Sequence, residues 1–259
     1  MSPAAASAVT VRAPAKLTLS LRVTGVRPDG YHLIDAEMVS LDLHDVLTIR
    51  PAGRTRLTAS GPYAAGMPLD ATNLVARALE LAGRPAEVDL LKQIPHGGGL
   101  GGGSSDAAAA LRWAGWAPTP QALVLAATLG ADVAYCLAGG RARVRGIGEV
   151  VDPLPPRPLT VTLVVPPLAV STPAVYAAWD HLGGPRAAGP NDLEPAVVNL
   201  YPEMHAWRDR IGAACGQTPM LAGSGATWFV AGEHEEALAA LSTKELGNEG
   251  ADVIVTRTI

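Results

Sequence analysis

Residues 95–111 read PHGGGLGGGSSDAAAAL: six glycines, then two serines, an aspartate and four alanines. A residue without Cβ takes up φ > 0 freely and lets backbone approach an anion closely. Successive N–H groups freed this way form a concave anion nest. Alanine is the strongest helix former, so a helix is expected from Asp106 to Leu111, with Ser104 or Ser105 as its cap. The N-terminus of that helix would add free N–H groups and the positive end of its dipole. The segment Glu87 to Ile94 reads as a strand that Pro95 ends. A strand leading in and a strong helix leading out make the run a phosphate cradle rather than a linker.

Several architectures own such loops. Gly97-x-Gly99-x-x-Gly102 satisfies the dinucleotide fingerprint, but that fold also wants an acid about twenty residues on, and none lies between Ala107 and Ala131. A Walker loop requires Gly-Lys-Ser/Thr, and no lysine follows here. The catalytic-loop and metal-binding motifs of protein kinases are missing too.

At 259 residues and 48% hydrophobic, the chain can bury a sizeable core in one large domain or two small ones. Its net charge of −4 argues against nucleic acid or an anionic membrane as partner. Cys136 and Cys215, the only cysteines, make no disulfide framework, and the six histidines form no HExxH site. The apolar region Ala122 to Gly140 is interrupted by Gly130 and Asp132, so it is not read as a membrane span. Met1 to Ala8 is short, small and uncharged, unlike a signal peptide, and a cytoplasmic location is the default expectation. Arginine supplies nearly all the positive charge. Lysine occurs only at Lys16, Lys92 and Lys244, and Lys16 stands out in an apolar strand.

Val9 to Val23 alternates as a strand, with Leu17, Leu19, Leu21 and Val23 on one face. Arg27-Pro28-Asp29-Gly30 is a tight-turn signal. Tyr31 to Leu43 and Val46 to Arg50 read as two further strands. Asn73 to Ala82 reads as a helix capped by Asp70 or Thr72 and stopped by Gly83. Thr119-Pro120 opens another helix, and Arg141 to Val151 reads as a strand. Four prolines in Pro153 to Pro158 mark a boundary. Beyond it come a strand from Leu159 to Val165 and helices from Thr172 to Leu182, Glu194 to Asn199, Glu203 to Ala214 and Glu233 to Leu246. A second glycine loop, Ala222 to Ala226, lies between strands at 218–221 and 228–231. A strand from Ala251 to Thr256 closes the chain. Strands and helices without strict βαβ alternation predict α+β.

Taken with the loop, Pro14-Ala15-Lys16-Leu17, Arg27-Pro28-Asp29-Gly30-Tyr31-His32, Leu129-Gly130-Ala131-Asp132-Val133, Gly146-Ile147-Gly148-Glu149, Asn191-Asp192-Leu193-Glu194 and Gly223-Ser224-Gly225-Ala226 resemble the GHMP small-molecule kinases. The resemblance covers nearly the whole chain. It is strongest toward members that phosphorylate the 2-hydroxyl of a diphosphocytidyl methylerythritol on the non-mevalonate route to isoprenoid precursors. Homoserine- or mevalonate-type kinases, and a silent nucleotide-binding relative, are the alternatives.

The resemblance implies a two-domain fold, with residues 1–155 as an α+β kinase domain and 156–259 as a ferredoxin-like domain. It makes Lys16 and Asp132 catalytic. ATP, as co-substrate with Mg²⁺, would bind Pro95, His96, Gly97, Gly98, Gly99, Leu100, Gly101, Gly102, Gly103, Ser104 and Ser105, with Ser105 reaching Mg²⁺ or a phosphate oxygen. The substrate would meet Thr18, Tyr31, His32, Tyr176, Gly223 and Ser224, the tyrosines and His32 on the cytosine. The expected partner is this small molecule alone, and the expected assembly a monomer or weak homodimer. Two positions depart from the family pattern. Thr18, shorter and without an amide, stands where Asn is usual, and Ala134 replaces a common Pro.

Overall fold

The computed structural model describes residues 7–242 and 250–259. Strands β1 (Val9–Val26) and β2 (His32–Pro51) form a long antiparallel pair joined by the tight turn. Gly30, at φ +86°, donates its N–H to Arg27 O at 2.9 Å there. β2 runs unbroken where two strands were expected. β1 flanks it along its length, and its other edge is shared by two partners. Strand β3 (Arg56–Ser60) pairs with β4 (Ala86–Leu91), and β4 pairs with β2 over residues 46–51. Farther along, β5 (Arg141–Gly146) pairs with β2 over residues 34–39, and β6 (Val150–Pro153) follows β5 at the edge. The single strand expected over 141–151 is therefore a hairpin, turned at Ile147 to Glu149, where Ile147 N donates to the Glu149 carboxylate at 2.7 Å.

The four apolar positions expected on one face of β1 divide between two cores. The register shift between Thr18 and Ser20 turns the strand over between them. Leu21 and Val23 join the helical core, while Leu17 and Leu19 face Val161, Leu163 and Phe229.

Helices α1 (Leu74–Leu81), α2 (Gly102–Trp113), α3 (Pro120–Ala127) and α4 (Ala131–Ala138) cover the sheet. Asn73 caps α1, accepting from Val75 N, in place of Asp70 or Thr72. Every residue from Ser105 to Leu111 is buried, because α2 lies between α1, α4 and β1 and its alanines permit close approach on all sides. α2 begins at Gly102, several residues before the expected start, so Ser104 and Ser105 are inside the helix and cap nothing.

After the prolines the chain builds β7 (Thr160–Val165), α5 (Thr172–His181), α6 (Glu194–Leu200), α7 (Pro202–Cys215), β8 (Met220–Leu221), β9 (Trp228–Ala231), α8 (Glu235–Ser242) and β10 (Asp252–Arg257). The strand order is β10-β7-β9-β8, all antiparallel. With helices between the first two strands and between the last two, this is the βαββαβ, ferredoxin-like arrangement. The helix expected to reach Leu246 is seen to Ser242. The expected remainder, with Lys244, lies outside the described residues, as do residues 1–6. The halves are stitched together at β1. Leu21 N donates to Pro190 O and Asp192 N to Leu21 O, both at 2.9 Å, and Val23 N donates to Asp192 Oδ2 at 3.1 Å.

Candidate active site

A cleft of about 680 Å³ opens between the two halves, lined from the first by Lys16, Thr18, Tyr31, His32, Gly99, Ser104 and Asp132 and from the second by Tyr176, Asp180, Gly223 and Ser224. Lys16 sits at the first β1 irregularity, and its backbone N–H donates to Leu100 O at 2.9 Å, which joins the strand to the glycine loop. Its side chain is buried, and Nζ lies 3.3 Å from Asp132 Oδ2 and 3.4 Å from Thr18 Oγ1. Asp132 stands in the first turn of α4, where a carboxylate is favoured by the helix dipole. Gly130 occupies the cap position, so the Asp132 carboxylate points to Lys16 instead of capping its own helix.

The glycine loop is shaped by close contacts. A Cβ on Gly99 would fall 2.7 Å from Gly225 O and 2.8 Å from Ala222 O, and one on Gly101 would fall 2.7 Å from Lys16 Cγ. Only glycine admits the second glycine loop on one side and the Lys16 stem on the other. Thr227 N donates to Gly98 O at 3.2 Å, a further link between the loops. Of the expected ATP residues, Gly99 and Ser104 line the cleft, while His96, Gly97 and Gly103 are exposed beside it. Pro95, Gly98 and Leu100 are buried beneath, and Gly101 and Gly102 are half-buried at the start of α2.

Ser105 corrects an expectation. It is 1% exposed, and its hydroxyl donates to Pro14 O at 2.7 Å, so it fastens α2 to β1 and does not line the cleft. One residue earlier on the helix, Ser104 is the serine that faces the cleft.

The aromatic side is equally built. The His32 ring packs on Tyr176 with centroids 4.6 Å apart and edge-on to Trp179 at 5.7 Å. His32 Nε2 lies 2.9 Å from Asp180 Oδ1. Tyr31 projects into solvent, 60% exposed. Burial, with the Asp132 charge adding to it, pushes the Tyr176 phenol up to about 12. Gly223 and Ser224 close the far end, where Ser224 Oγ lies 2.7 Å from Thr172 Oγ1.

Sequence reasoning passed over several residues of this neighbourhood. Asp180 lies one helical turn after Tyr176, a spacing that places both on one face. Asn191 is 2% exposed and donates to Leu221 O (2.9 Å) and Gly223 O (2.6 Å), which holds the second glycine loop. Its motif was legible, but not its task. Lys92, Asp45 and Asp106 form a buried cluster behind the first loop. Burial works against the charge on Lys92, but the two carboxylates outweigh it and hold its pKa above the ordinary lysine value. Burial is also the largest influence on Asp106 and raises it, opposed by Lys92.

A glycine loop opening a helix, a lysine–aspartate pair and a ferredoxin-like second half together define a small-molecule kinase of the GHMP type. Residues 68–140 match the family described as "GHMP kinases N terminal domain". A protein of Paracoccus denitrificans (strain Pd 1222) named 4-diphosphocytidyl-2-C-methyl-D-erythritol kinase is 43% identical over 84% of this chain and 84% of its own length. A protein of the same name from Jannaschia sp. (strain CCS1) is 40% identical over 86% of this chain and 89% of its own. The crystal structure of a 4-(cytidine 5'-diphospho)-2C-methyl-D-erythritol kinase superposes with a TM-score of 0.72 at 34% identity, covering 96% of this chain and 99% of that one. A homoserine kinase from Cytophaga hutchinsonii shares the fold at 21% identity and a TM-score of 0.65, covering 97% of this chain and 95% of that one. The chain belongs to the 4-diphosphocytidyl-2-C-methyl-D-erythritol kinase family of GHMP kinases.

Proposed function

We propose that this chain transfers the γ-phosphoryl group of ATP to the 2-hydroxyl of 4-diphosphocytidyl-2-C-methyl-D-erythritol, a step toward isoprenoid precursors on the non-mevalonate route. As a GHMP kinase it takes ATP as co-substrate. The observation that carries the reading is the Lys16–Asp132 pair, set between a glycine loop on one wall of the cleft and an aromatic cluster on the other.

The substrate hydroxyl attacks Pγ. Its O–P bond forms as the bond from Pγ to the bridging oxygen breaks, and ADP leaves with the electron pair. Asp132 accepts the hydroxyl proton. Lys16 orients that carboxylate and offsets negative charge on the phosphoryl group in flight, the positioning and electrostatic work on which phosphoryl transfer depends. The glycine loop and the start of α2 hold the phosphates through backbone N–H groups, with Ser104 in the role expected of Ser105.

No group of three or more His, Cys, Asp or Glu able to cage a metal occurs among the described residues. The Ser104 hydroxyl on the cleft wall suits Mg²⁺ that would arrive with ATP and keep most of its waters. Bound so, it supplies charge neutralisation to the β- and γ-phosphates. Tyr31 and Tyr176 stack on the cytosine. Asp180 engages Nε2 of His32, and Nδ1 is left for the base. Thr18, Gly223 and Ser224 flank the polyol and its diphosphate. Two domains, 1–155 and 156–259, and a monomeric or weakly dimeric cytoplasmic enzyme without nucleic-acid or membrane partners complete the proposal. Among the described residues no helix is long and apolar enough to cross a membrane.

Asp132→Asn tests the assignment. The isosteric amide cannot take the proton, so turnover should fall about 10²–10⁴-fold while ATP still binds by equilibrium titration. Turnover near that of the parent would remove Asp132 as the base.

A further inference from the structure

Asp45, Lys92 and Asp106 are 0%, 4% and 2% exposed and lie under the glycine loop, outside the cleft. Lys92 Nζ donates to Oδ2 of both carboxylates, and Asp106 Oδ1 has no hydrogen-bond partner. Burying three charges is costly, and apolar side chains of similar size commonly serve a core as well or better. Their placement does what packing alone would not.

Asp45 stands where β2 loses β4, since Val46 pairs with Leu91 and Lys92 is the next residue. Its Oδ1 accepts from Gln93 N at 2.5 Å and Ile94 N at 2.9 Å, so it fixes the two residues before Pro95. Its Oδ2 lies 3.4 Å from where a Cβ on Gly102 would stand, so the same carboxylate abuts the first residue of α2. Lys92 then ties Asp45 to Asp106, one turn into that helix. The entry and the exit of the loop are both fastened to one buried charge cluster.

We propose that Lys92, clasped between Asp45 and Asp106, is a positioning residue for the ATP loop, setting the distance between the loop's two ends and with it the fit to the phosphates. This rests on the reading of residues 95–105 as the ATP site. The clasp touches no substrate, and its loss should be felt by ATP and not by the alcohol.

The test is steady-state kinetics with ATP and the diphosphocytidyl alcohol varied separately. Lys92→Met removes the clasp at similar volume and Asp106→Leu at an equal number of side-chain heavy atoms, whereas Asp106→Asn keeps an acceptor for Lys92. The first two should raise KM for ATP about tenfold or more, on the scale of a sub-ångström displacement of binding groups, with KM for the alcohol within about twofold. Asp106→Asn should stay within about threefold of the parent for both substrates. Equal rises in both KM values, an Asn variant as impaired as the Leu variant, or an unchanged KM for ATP in folded Lys92→Met would overturn the proposal. If neither clasp-less variant folds, Lys92→Arg decides, since it keeps the charge but lengthens the link. An ATP-selective rise of about fivefold supports the clasp, and parental ATP kinetics refutes it. The parent is assayed first with the alcohol. If it fails to turn over, the functional reading fails alone, and titration of all variants with a fluorescent ATP analogue judges the clasp by the same ratios.

Discussion

Replacing Gly101 with alanine separates backbone strain from displacement of Lys16. Gly101 holds φ +69° at the start of α2, a conformation that costs an L-residue about 1–2 kcal/mol. For a chain of this size each kcal/mol lowers Tm by about 2–4 °C, so the backbone cost alone lowers it by about 2–8 °C. The new Cβ would also stand 2.7 Å from Lys16 Cγ and 3.2 Å from Cε. Lys16 must give way, and its Nζ now lies 3.3 Å from Asp132 Oδ2. A misplacement of about 1 Å in a reacting constellation costs about 10²-fold in rate. At 25 °C a domain with about 5–15 kcal/mol of stability stays folded after losing 1–2, so the rate loss is not a folding effect.

Gly83→Ala is the control. Gly83 has φ +60° just after α1, and a Cβ there meets nothing within 4 Å. It should show a similar fall in Tm with parental turnover. Both variants are measured by thermal melting and by ADP release coupled to NADH oxidation. The reasoning is refuted if Gly101→Ala keeps parental kcat/KM, or if Gly83→Ala loses as much activity.

Tyr31→Ala removes an exposed ring that makes little of the core. It should raise KM for the cytidyl alcohol about tenfold, the scale of one base–aromatic stacking contact, and leave ATP binding unchanged. An equal loss for both ligands would make Tyr31 structural. Tyr176, whose phenol is raised to about 12, stays neutral below that pH and loses its proton only above it. KM for the alcohol should therefore show no step between pH 8 and about 10 that Tyr176→Phe abolishes, and such a step would contradict the burial of the ring.

The glycine loop and the tight turn were legible because their signals are local: glycine and proline act on their own backbone. The ferredoxin-like arrangement of the second half came with the family resemblance, since the pairing order of its strands is not a local property. The path of β1 was not legible, because its bulges shift which side chains face which core, and a bulge leaves no mark in simple alternation. Ser105 misled for the opposite reason. Its neighbours suggested a cap, but once α2 begins at Gly102 its hydroxyl meets a carbonyl 91 positions away in sequence. Lys16 and Asp132 could be picked out as an oddly placed lysine and an acid in an apolar stretch, but their separation is a property of the fold. The Asp45–Lys92–Asp106 cluster joins residues 47 and 14 positions apart, and only its rarity as one of three lysines drew attention to Lys92 at all.

The substrate assignment is decided by supplying ATP and Mg²⁺ with 4-diphosphocytidyl-2-C-methyl-D-erythritol, mevalonate or homoserine in parallel and following ADP release and the phosphorylated product. The cleft, with its aromatic wall at Tyr31, His32 and Tyr176, predicts stoichiometric ADP release with the cytidyl alcohol and only background with the other two. No release with the cytidyl alcohol, or faster turnover of mevalonate or homoserine, would contradict it.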